Sequence, residues 1–421
     1  MSYETLPEWI RLTVEALRNL IKNRRRSSAV VISLACGVVA LCLIGGYYQY
    51  TYWGLSQSMI RSQYGHLQIY QKGYLETRDI DPFAHPLDDP DRLLALLRKD
   101  AEIEVAAPRS MAFGTASNPE SGRSAVVELR GVDPEMEARI FTFFTSKRGP
   151  SLRAGDDFSC QIAPTLADSL GLALNDSLVV SAVREDNQHN ALDLKLKTLV
   201  ASYTEEFDRL AVGMTAAGFT ELTGSSGVHE IAVLFADDRF LERKAAVLER
   251  DLAAAGFDVE IKLWYEQARY FRQVLAYFQG FYHLVLLLAS ILVFFVGVTT
   301  ISISLNERLR EFGTRLSLGE SRFRLLTGLA LEAILSGLTG LLLGAAVALC
   351  LGTAINLSGG IPMPAAPGMT GALRVKLLFS PQGAWLSLVV SLCVPLAALA
   401  GPAARIRKAS VVRLLNRGRE H

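Results

Sequence analysis

The sequence is poor in the groups on which most enzyme chemistry depends. Its 421 residues include only five cysteines and six histidines. Neither type falls into a ligand or redox spacing, since there is no His-Glu-x-x-His and no Cys pair. There is no Gly-x-Ser-x-Gly elbow, and no Gly-x-x-x-x-Gly-Lys-Ser/Thr that could cradle the phosphates of ATP. Charge of one sign is also missing. The 43 basic and 42 acidic side chains leave a net charge of +1, which argues against a nucleic-acid partner. Adjacent acids occur at Asp156-Asp157 and Asp237-Asp238, but neighbours in sequence point apart and more often cap helices or face solvent. What the chain has in excess is apolar residues. A mean hydropathy of +0.25 is high for a chain with 20% charged side chains, so the apolar residues are concentrated.

Four stretches lack Asp, Glu, Lys and Arg altogether: 27–60, 273–306, 333–373 and 377–404. Each exceeds the roughly 20 residues that cross a bilayer. A signal peptide is the alternative reading of the first, given Arg24, Arg25 and Arg26 before it. No small-x-small cleavage pattern closes that run, and Tyr47, Tyr48, Tyr50, Tyr52 and Trp53 form an interfacial aromatic belt instead. Basic residues concentrate before the first span (six), between the second and third (five) and after the fourth (six), which predicts that both termini are cytoplasmic. Cys36, Cys42, Cys350 and Cys393 fall within spans, leaving Cys160 alone in the exported segment, with no intrachain disulfide to form there.

The expected fold is therefore a membrane protein with four transmembrane α-helices and a large α+β extracytoplasmic (periplasmic) domain inserted between helices 1 and 2. The expected divisions are a cytoplasmic segment 1–27, first span 28–50, exported domain 51–272, stalk end and second span 273–304, cytoplasmic helix 305–324, third span 325–355, periplasmic loop 356–382, fourth span 383–402 and tail 403–421. Within the exported domain, β-rich patterning predicts strands over 66–71, 124–132, 177–183, 193–200, 230–235 and 259–264. Helices are expected over 91–97, 162–170 and 238–255. Its histidines His66, His85, His189 and His229 are scattered. Tyr270, Phe271, Tyr277, Phe278, Phe281 and Tyr282 recur at helical spacing before the second span, as an interfacial anchor or as a stalk face lining an entry for a lipophilic substrate.

The loop Asn306–Arg324 reads as an amphipathic helix of mixed charge, ended by Gly319 and lying along the membrane. In the next span, Glu332 is costly to bury, and either pairs with an Arg of that loop or snorkels to the interface. Gly337, Gly340 and Gly344 lie on one face with Ala333 and Ala348, suited either to packing within one subunit or to a dimer seam.

Glu311-Phe312-Gly313, followed by Leu318-Gly319 and Glu332, resembles the coupling segment of MacB/FtsX-type ABC transporter permeases. Gly65-His66-Leu67-Gln68-Ile69, Gly131-Val132-Asp133-Pro134, Leu166–Leu172, Trp264 and the tail Pro402–Leu414 follow in the family's order. The Gly65–Tyr74 stretch is most similar to the lipoprotein-releasing permeases. The resemblance implies a periplasmic core domain with a porter-like and a second, β-rich subdomain. It implies that Glu307, Arg310, Glu311, Phe312, Gly313, Arg315, Leu318 and Gly319 form the ATPase-coupling surface. It implies no catalytic, cofactor or metal site in this chain, with ATP and Mg bound by a partner ATPase. The implied partners are a cytoplasmic ABC ATPase dimer, a second permease copy or paralogue, membrane lipid, and a periplasmic carrier or adaptor, in a Gram-negative inner membrane. Three functions stay open: release or export of lipoprotein or lipophilic cargo, MacB-like efflux with an outer-membrane conduit, and FtsX-like control of a periplasmic hydrolase.

Overall fold

The computed structural model describes residues 7–22, 24–144, 146–202, 204–364 and 373–408. In chain order the elements are α1 (Glu8–Lys22), α2 (Arg24–Met59) with a π turn Ile60–Tyr64, β1 (Leu67–Gln71), α3 (Tyr74–Thr77), α4 (Pro90–Leu97), β2 (Ile103–Ser117), β3 (Ser124–Val132), α5 (Pro134–Ile140), β4 (Ser146–Arg148), β5 (Ser159–Ile162) and α6 (Pro164–Leu170). There follow β6 (Ser177–Val183), β7 (His189–Ala201), α7 (Glu205–Leu210), β8 (Ala211–Thr215), α8 (Ala216–Thr223), β9 (Glu230–Phe235), α9 (Leu241–Ala254), β10 (Val259–Leu263) and α10 (Trp264–Gln267). The chain then runs through α11 (Arg269–Glu307), α12 (Leu309–Ser317), α13 (Arg322–Leu357), β11 (Ile361–Met363), β12 (Leu373–Val375), α14 (Pro381–Ala398) and α15 (Ala400–Lys408). Two compact units result: a helical one made of Met1–Tyr52, Ala276–Ile361 and Arg374–His421, and a sheet-rich one made of Trp53–Leu275 and Pro362–Leu373.

Among the described residues, the helical unit contains segments of four helices long and apolar enough to cross a membrane, over Ser27–Tyr64, Leu275–Glu307, Arg322–Leu357 and Pro381–Arg407. Its core joins Leu34 and Leu41 of α2, Leu286 and Leu305 of α11, Phe312 of α12, Leu325 and Leu329 of α13, and Val394 of α14. Small residues bring these helices together. A Cβ on Gly340 would stand 2.8 Å from Leu34 Cβ, and one on Gly344 would stand 2.7 Å from Ala35 O and Val38 Cβ. One on Gly337 would collide with the Ser391 carbonyl. The small-residue face of α13 is thus filled from within the chain, by α2 and α14.

In the sheet-rich unit ten strands form one sheet, and β2 belongs to both of its halves. The first half of β2 pairs β9 through Ile103–Arg109, extending the antiparallel order β10-β1-β9-β2. Its second half closes a six-stranded barrel, β2-β3-β8-β5-β7-β6, that returns to β2. Closure removes strand edges, and the barrel encloses its own core of Leu129, Cys160, Val180, Leu196, Met214 and Phe219. In the open half, the two-residue period of the strands sorts side chains onto two faces. Leu67, Ile69, Ile231 and Val233 meet α4 and α9, while Ala232 and Leu234 meet Leu55, Met59, Ile140 and Trp264.

The strands predicted over Ser124–Val132, Ser177–Val183 and Glu230–Phe235 have those bounds. The helix expected from Ile162 begins at Pro164, because Ile162 pairs with Leu199 and Val212 as the end of β5 and the proline opens the helix. The helix expected from Asp238 begins at Leu241, after Phe240 takes the left-handed conformation. Two of the resembling motifs have structural work. Gly131 sits where a Cβ would stand 2.5 Å from Phe219 Cβ, and Asp133 caps α5 by accepting from the Glu135 and Met136 amides.

Candidate functional site

The segment expected to couple to an ATPase is built inside the helical unit. The expected single helix over 305–324 is broken: Asn306 and Glu307 complete the last turn of α11, Arg308 leaves helical geometry, and α12 covers only Leu309–Ser317. The break has a physical cause in Arg308. Its side chain turns inward to Glu332 Oε1 at 2.6 Å, reaches Glu311 Oε2 at 3.3 Å, and lies over the Phe312 ring. Arg308 is 7% exposed and Phe312 fully buried, so this corner of α12 is fixed in the core. Glu332 therefore has its cationic partner, and it is Arg308, 24 positions earlier, which sequence spacing alone does not pick out.

Of the other expected coupling residues, Gly313 is buried beside Phe312 and Glu311 is exposed. The Arg310 side chain lies outside the described residues. Arg315 forks onto Glu320 at 2.7 and 2.9 Å, tying the end of α12 to the following turn. That turn needs Gly319, whose φ of +92° is left-handed, and Ser321 then caps α13. Two large apolar side chains flank it in the open, Leu318 at 83% and Phe323 at 81% exposure. With Leu12 and Glu15 of α1 they border an open concavity of about 1010 Å³. An exposed apolar pair on a turn held this firmly is suited to docking against another protein.

Of the expected stalk residues, Tyr277 and Phe281 are exposed, Phe278 is half-buried, and the Tyr270 side chain lies outside the described residues. Tyr282 faces inward and stacks on Tyr48 with ring centroids 3.8 Å apart. The part of the tail motif beyond Lys408 also lies outside the described residues.

A second constellation, missed at the level of sequence, lies in the sheet-rich unit. Arg109 is the residue at which β2 passes from its β9 pairing to its β3 pairing, opposite Glu230 and Val132. Its guanidinium is 1% exposed and forks onto Glu137 at 2.9 and 2.9 Å, donates to Glu230 Oε1 at 2.8 Å, and reaches the Gln63 carbonyl at the end of the π turn at 2.6 Å. Gln68 and Tyr70 both donate to the same Glu230 carboxylate. Burial works against the Arg109 charge, but the two carboxylates outweigh it and raise its pKa; burial and Glu230 push the Tyr70 hydroxyl well up. Beside this network is a cavity of about 570 Å³ walled by Met59, Gln63, Tyr64, Glu128, Arg130, Phe207 and others.

The acidic pairs separate as expected of neighbours. Asp156 receives Lys197 and Asp157 receives the Thr215 hydroxyl, while Asp237 binds Arg239. His66 and His229 are buried, and each accepts a backbone amide through Nδ1, from Phe235 and Met111 respectively.

Residues 283–411 match the family model of the FtsX-like permease C-terminal domain. Over that stretch, which holds the segment expected to couple to an ATPase and three of the four apolar helices, the chain is similar to permeases of the FtsX type. Such permeases are membrane-embedded and generally non-catalytic subunits that work with an ABC ATPase. No curated protein matches the chain. Among solved structures, the sheet-rich part is similar to the periplasmic region of MacB from Actinobacillus actinomycetemcomitans, at 14% identity and a TM-score of 0.35 over 47% of this chain and 88% of that one. It is also similar to the extracellular domain of the noncanonic ABC-type transporter YknZ from Gram-positive bacteria, at 10% identity and a TM-score of 0.33 over 47% of this chain and 98% of that one.

Proposed function

We propose that the chain is the permease subunit of a MacB/Lol-type ABC transporter, receiving ATP-driven motion at α12 and passing it through α2 and α11 to the sheet-rich domain with which both are continuous in sequence. The observation that carries this reading is the construction of α12. Phe312 and the Arg308–Glu332 pair anchor one side of it, while Leu318 and Phe323 stand exposed at its far end. Such a lever resists local yielding, so force applied at the exposed end reaches the core of the helix bundle. The partner is a cytoplasmic ABC ATPase dimer, with ATP and Mg bound there. The basic flanks of the spans favour cytoplasmic termini and a periplasmic sheet-rich domain in a Gram-negative inner membrane.

The cargo class this reading favours is lipoprotein or another lipophilic molecule. Its support is the exposed run Tyr277, Phe281, Leu284, Leu288 and Phe295 on α11, an apolar face for lipid, acyl chains or a second permease copy. A periplasmic carrier or adaptor would take the cargo onward. The test is site-specific crosslinking: Leu318→Cys in membranes is expected to crosslink to the ABC ATPase, whereas Leu357→Cys, equally exposed at the opposite end of α13, is not. Equal labelling at the two positions would defeat the assignment.

A further inference from the structure

The helix α1 has three sides of different chemistry. Successive residues of an α-helix turn by about 100°, so residues spaced by three, four or seven share a side. Leu12, Ala16 and Leu20 form one row. Leu12 and Ala16 are buried where α1 packs against α13, and Leu20 borders a small cavity with Val30 and Ile301. Ile10, Val14, Leu17 and Ile21 form a second apolar row about a third of a turn away. Its far end is open, with Leu17 48% and Ile21 55% exposed. The remaining side holds Arg11, Glu15, Arg18 and Lys22.

Positive charge gathers at that open end. Arg18, Lys22, Arg24, Arg25 and Arg26 follow one another closely, and the sequence has no Asp or Glu between Glu15 and Glu76. Glu15 turns to Arg324, in the first turn of α13, at 3.8 Å. Arg18, Lys22 and Arg24 are exposed, and among the described residues no carboxylate forms an ion pair with them. Two observations put α1 level with the ends of the apolar helices. It stops at Lys22, shortly before the apolar segment that opens at Ser27, and Glu15 meets the first turn of the segment that opens at Arg322. A free phosphate would match the basic side and leave Leu17 and Ile21 in water, while a neutral lipid would cover them and leave the positive charge unmatched. An anionic lipid does both.

We infer that α1 binds anionic phospholipid at the membrane surface, with Leu17 and Ile21 at the acyl boundary and Arg18, Lys22 and Arg24 on lipid phosphates. This rests on the membrane-spanning part of the proposed function and needs no ATPase. Leu12 and Glu15, on the other sides of the same helix from Leu17 and Ile21, border the concavity beside Leu318 and Phe323. Lipid and a docked protein would therefore take different sides of α1.

The test is hydrogen exchange, read by mass spectrometry, of the full-length chain in nanodiscs of phosphatidylcholine with and without phosphatidylglycerol, and with no ATPase present. Peptides from α1 are expected to exchange about fivefold more slowly when phosphatidylglycerol is present, the ratio that one basic side chain gives at an anionic surface. Salt at about 1 M should erase most of that difference. Arg18→Gln with Lys22→Gln and Arg24→Gln should lose it. Lys99→Gln with Arg243→Gln and Arg250→Gln, which removes the same charge from exposed positions of the sheet-rich unit, should keep it. Leu17→Gln with Ile21→Gln should speed α1 exchange in both lipids, and unchanged exchange of the sheet peptides shows that each variant is folded. Equal α1 exchange in the two lipid mixtures overturns the inference, as does a lipid response kept by the first triple variant or lost by the second. It is also overturned if soluble glycerol phosphate protects α1 equally in phosphatidylcholine discs, which makes this a site for a free anion. Protection that appears only on adding an ABC ATPase makes it a protein interface and overturns it too. Failure of Leu318→Cys to crosslink the ATPase would defeat the coupling assignment and leave a lipid response at α1 standing.

Discussion

Acid should weaken the sheet-rich domain through two histidines whose rings are committed to backbone amides. His66 Nδ1 accepts the Phe235 amide at 2.9 Å, and His229 Nδ1 accepts the Met111 amide at 3.2 Å. Both rings must be neutral to accept. Burial is the main cause that lowers each pKa to about 4, against 6.5 when exposed. Nearby charges modify this: Asp238 opposes the shift at His66 while Arg61 and Lys244 add to it, and Asp81 opposes it at His229. Because the folded pKa is depressed, the unfolded chain binds more protons between pH 6.5 and 4, and stability is lost as pH falls through that window. Between pH 7 and pH 5 each histidine contributes a loss of about 2 kcal/mol, together about 4, a large share of the roughly 5–15 kcal/mol that holds a domain folded. The assay is urea unfolding of the full-length chain in detergent, followed by tryptophan fluorescence, to which buried Trp264 contributes, at pH 7, 6 and 5. Asn at either position keeps an acceptor near Nδ1 without titrating, so His66→Asn with His229→Asn should flatten most of the slope. A parent protein equally stable at pH 7 and pH 5, or a double variant with the parent's slope, would refute the reasoning.

Other expectations follow from the packing. Arg109→Met leaves Glu230 and Glu137 buried without their cation, and should cost about 3–5 kcal/mol of stability in the same unfolding assay. Gly337→Leu drives a side chain into the Ser391 carbonyl and should cost about 1–3 kcal/mol or more, read as a lowered melting temperature in detergent; Gly328→Leu, where a Cβ meets nothing within 4 Å, should be tolerated. Arg308→Met and Glu332→Gln should each lower the melting temperature, and the double variant should lose less than the sum of the two, as a double-mutant cycle requires of groups in contact.

Legibility in the sequence followed the range over which each signal acts. The four apolar helices and strands such as Ser177–Val183 announce themselves by local pattern, because a half-buried strand alternates and a span is uniformly apolar. β2 does not: its 15 residues include Pro108, Gly114 and several alanines, and both faces of its middle, 105–112, are covered, so neither alternation nor β-branched content marks it. With β2 unread, the barrel it helps close and the Arg109 junction were out of reach. The residues proposed to couple were visible because they are contiguous, yet the partner of Glu332 depended on the break at Arg308, whose side chain turns inward to meet it across 24 positions. The cavity is more distant still, drawn from segments between Met59 and Ala268 with no spacing to search for.

The claim that α12 transmits force from an ATPase is tested most directly by ATPase stimulation. The measurement is ATP hydrolysis by the copurifying ABC ATPase, reconstituted with the parent chain, with Glu311→Lys, and with Gly313→Pro, which breaks α12 at a cost of about 3 kcal/mol in helix stability. Both variants are expected to reach the membrane folded and to lose the stimulation that the parent gives. Stimulation unchanged in both would contradict it.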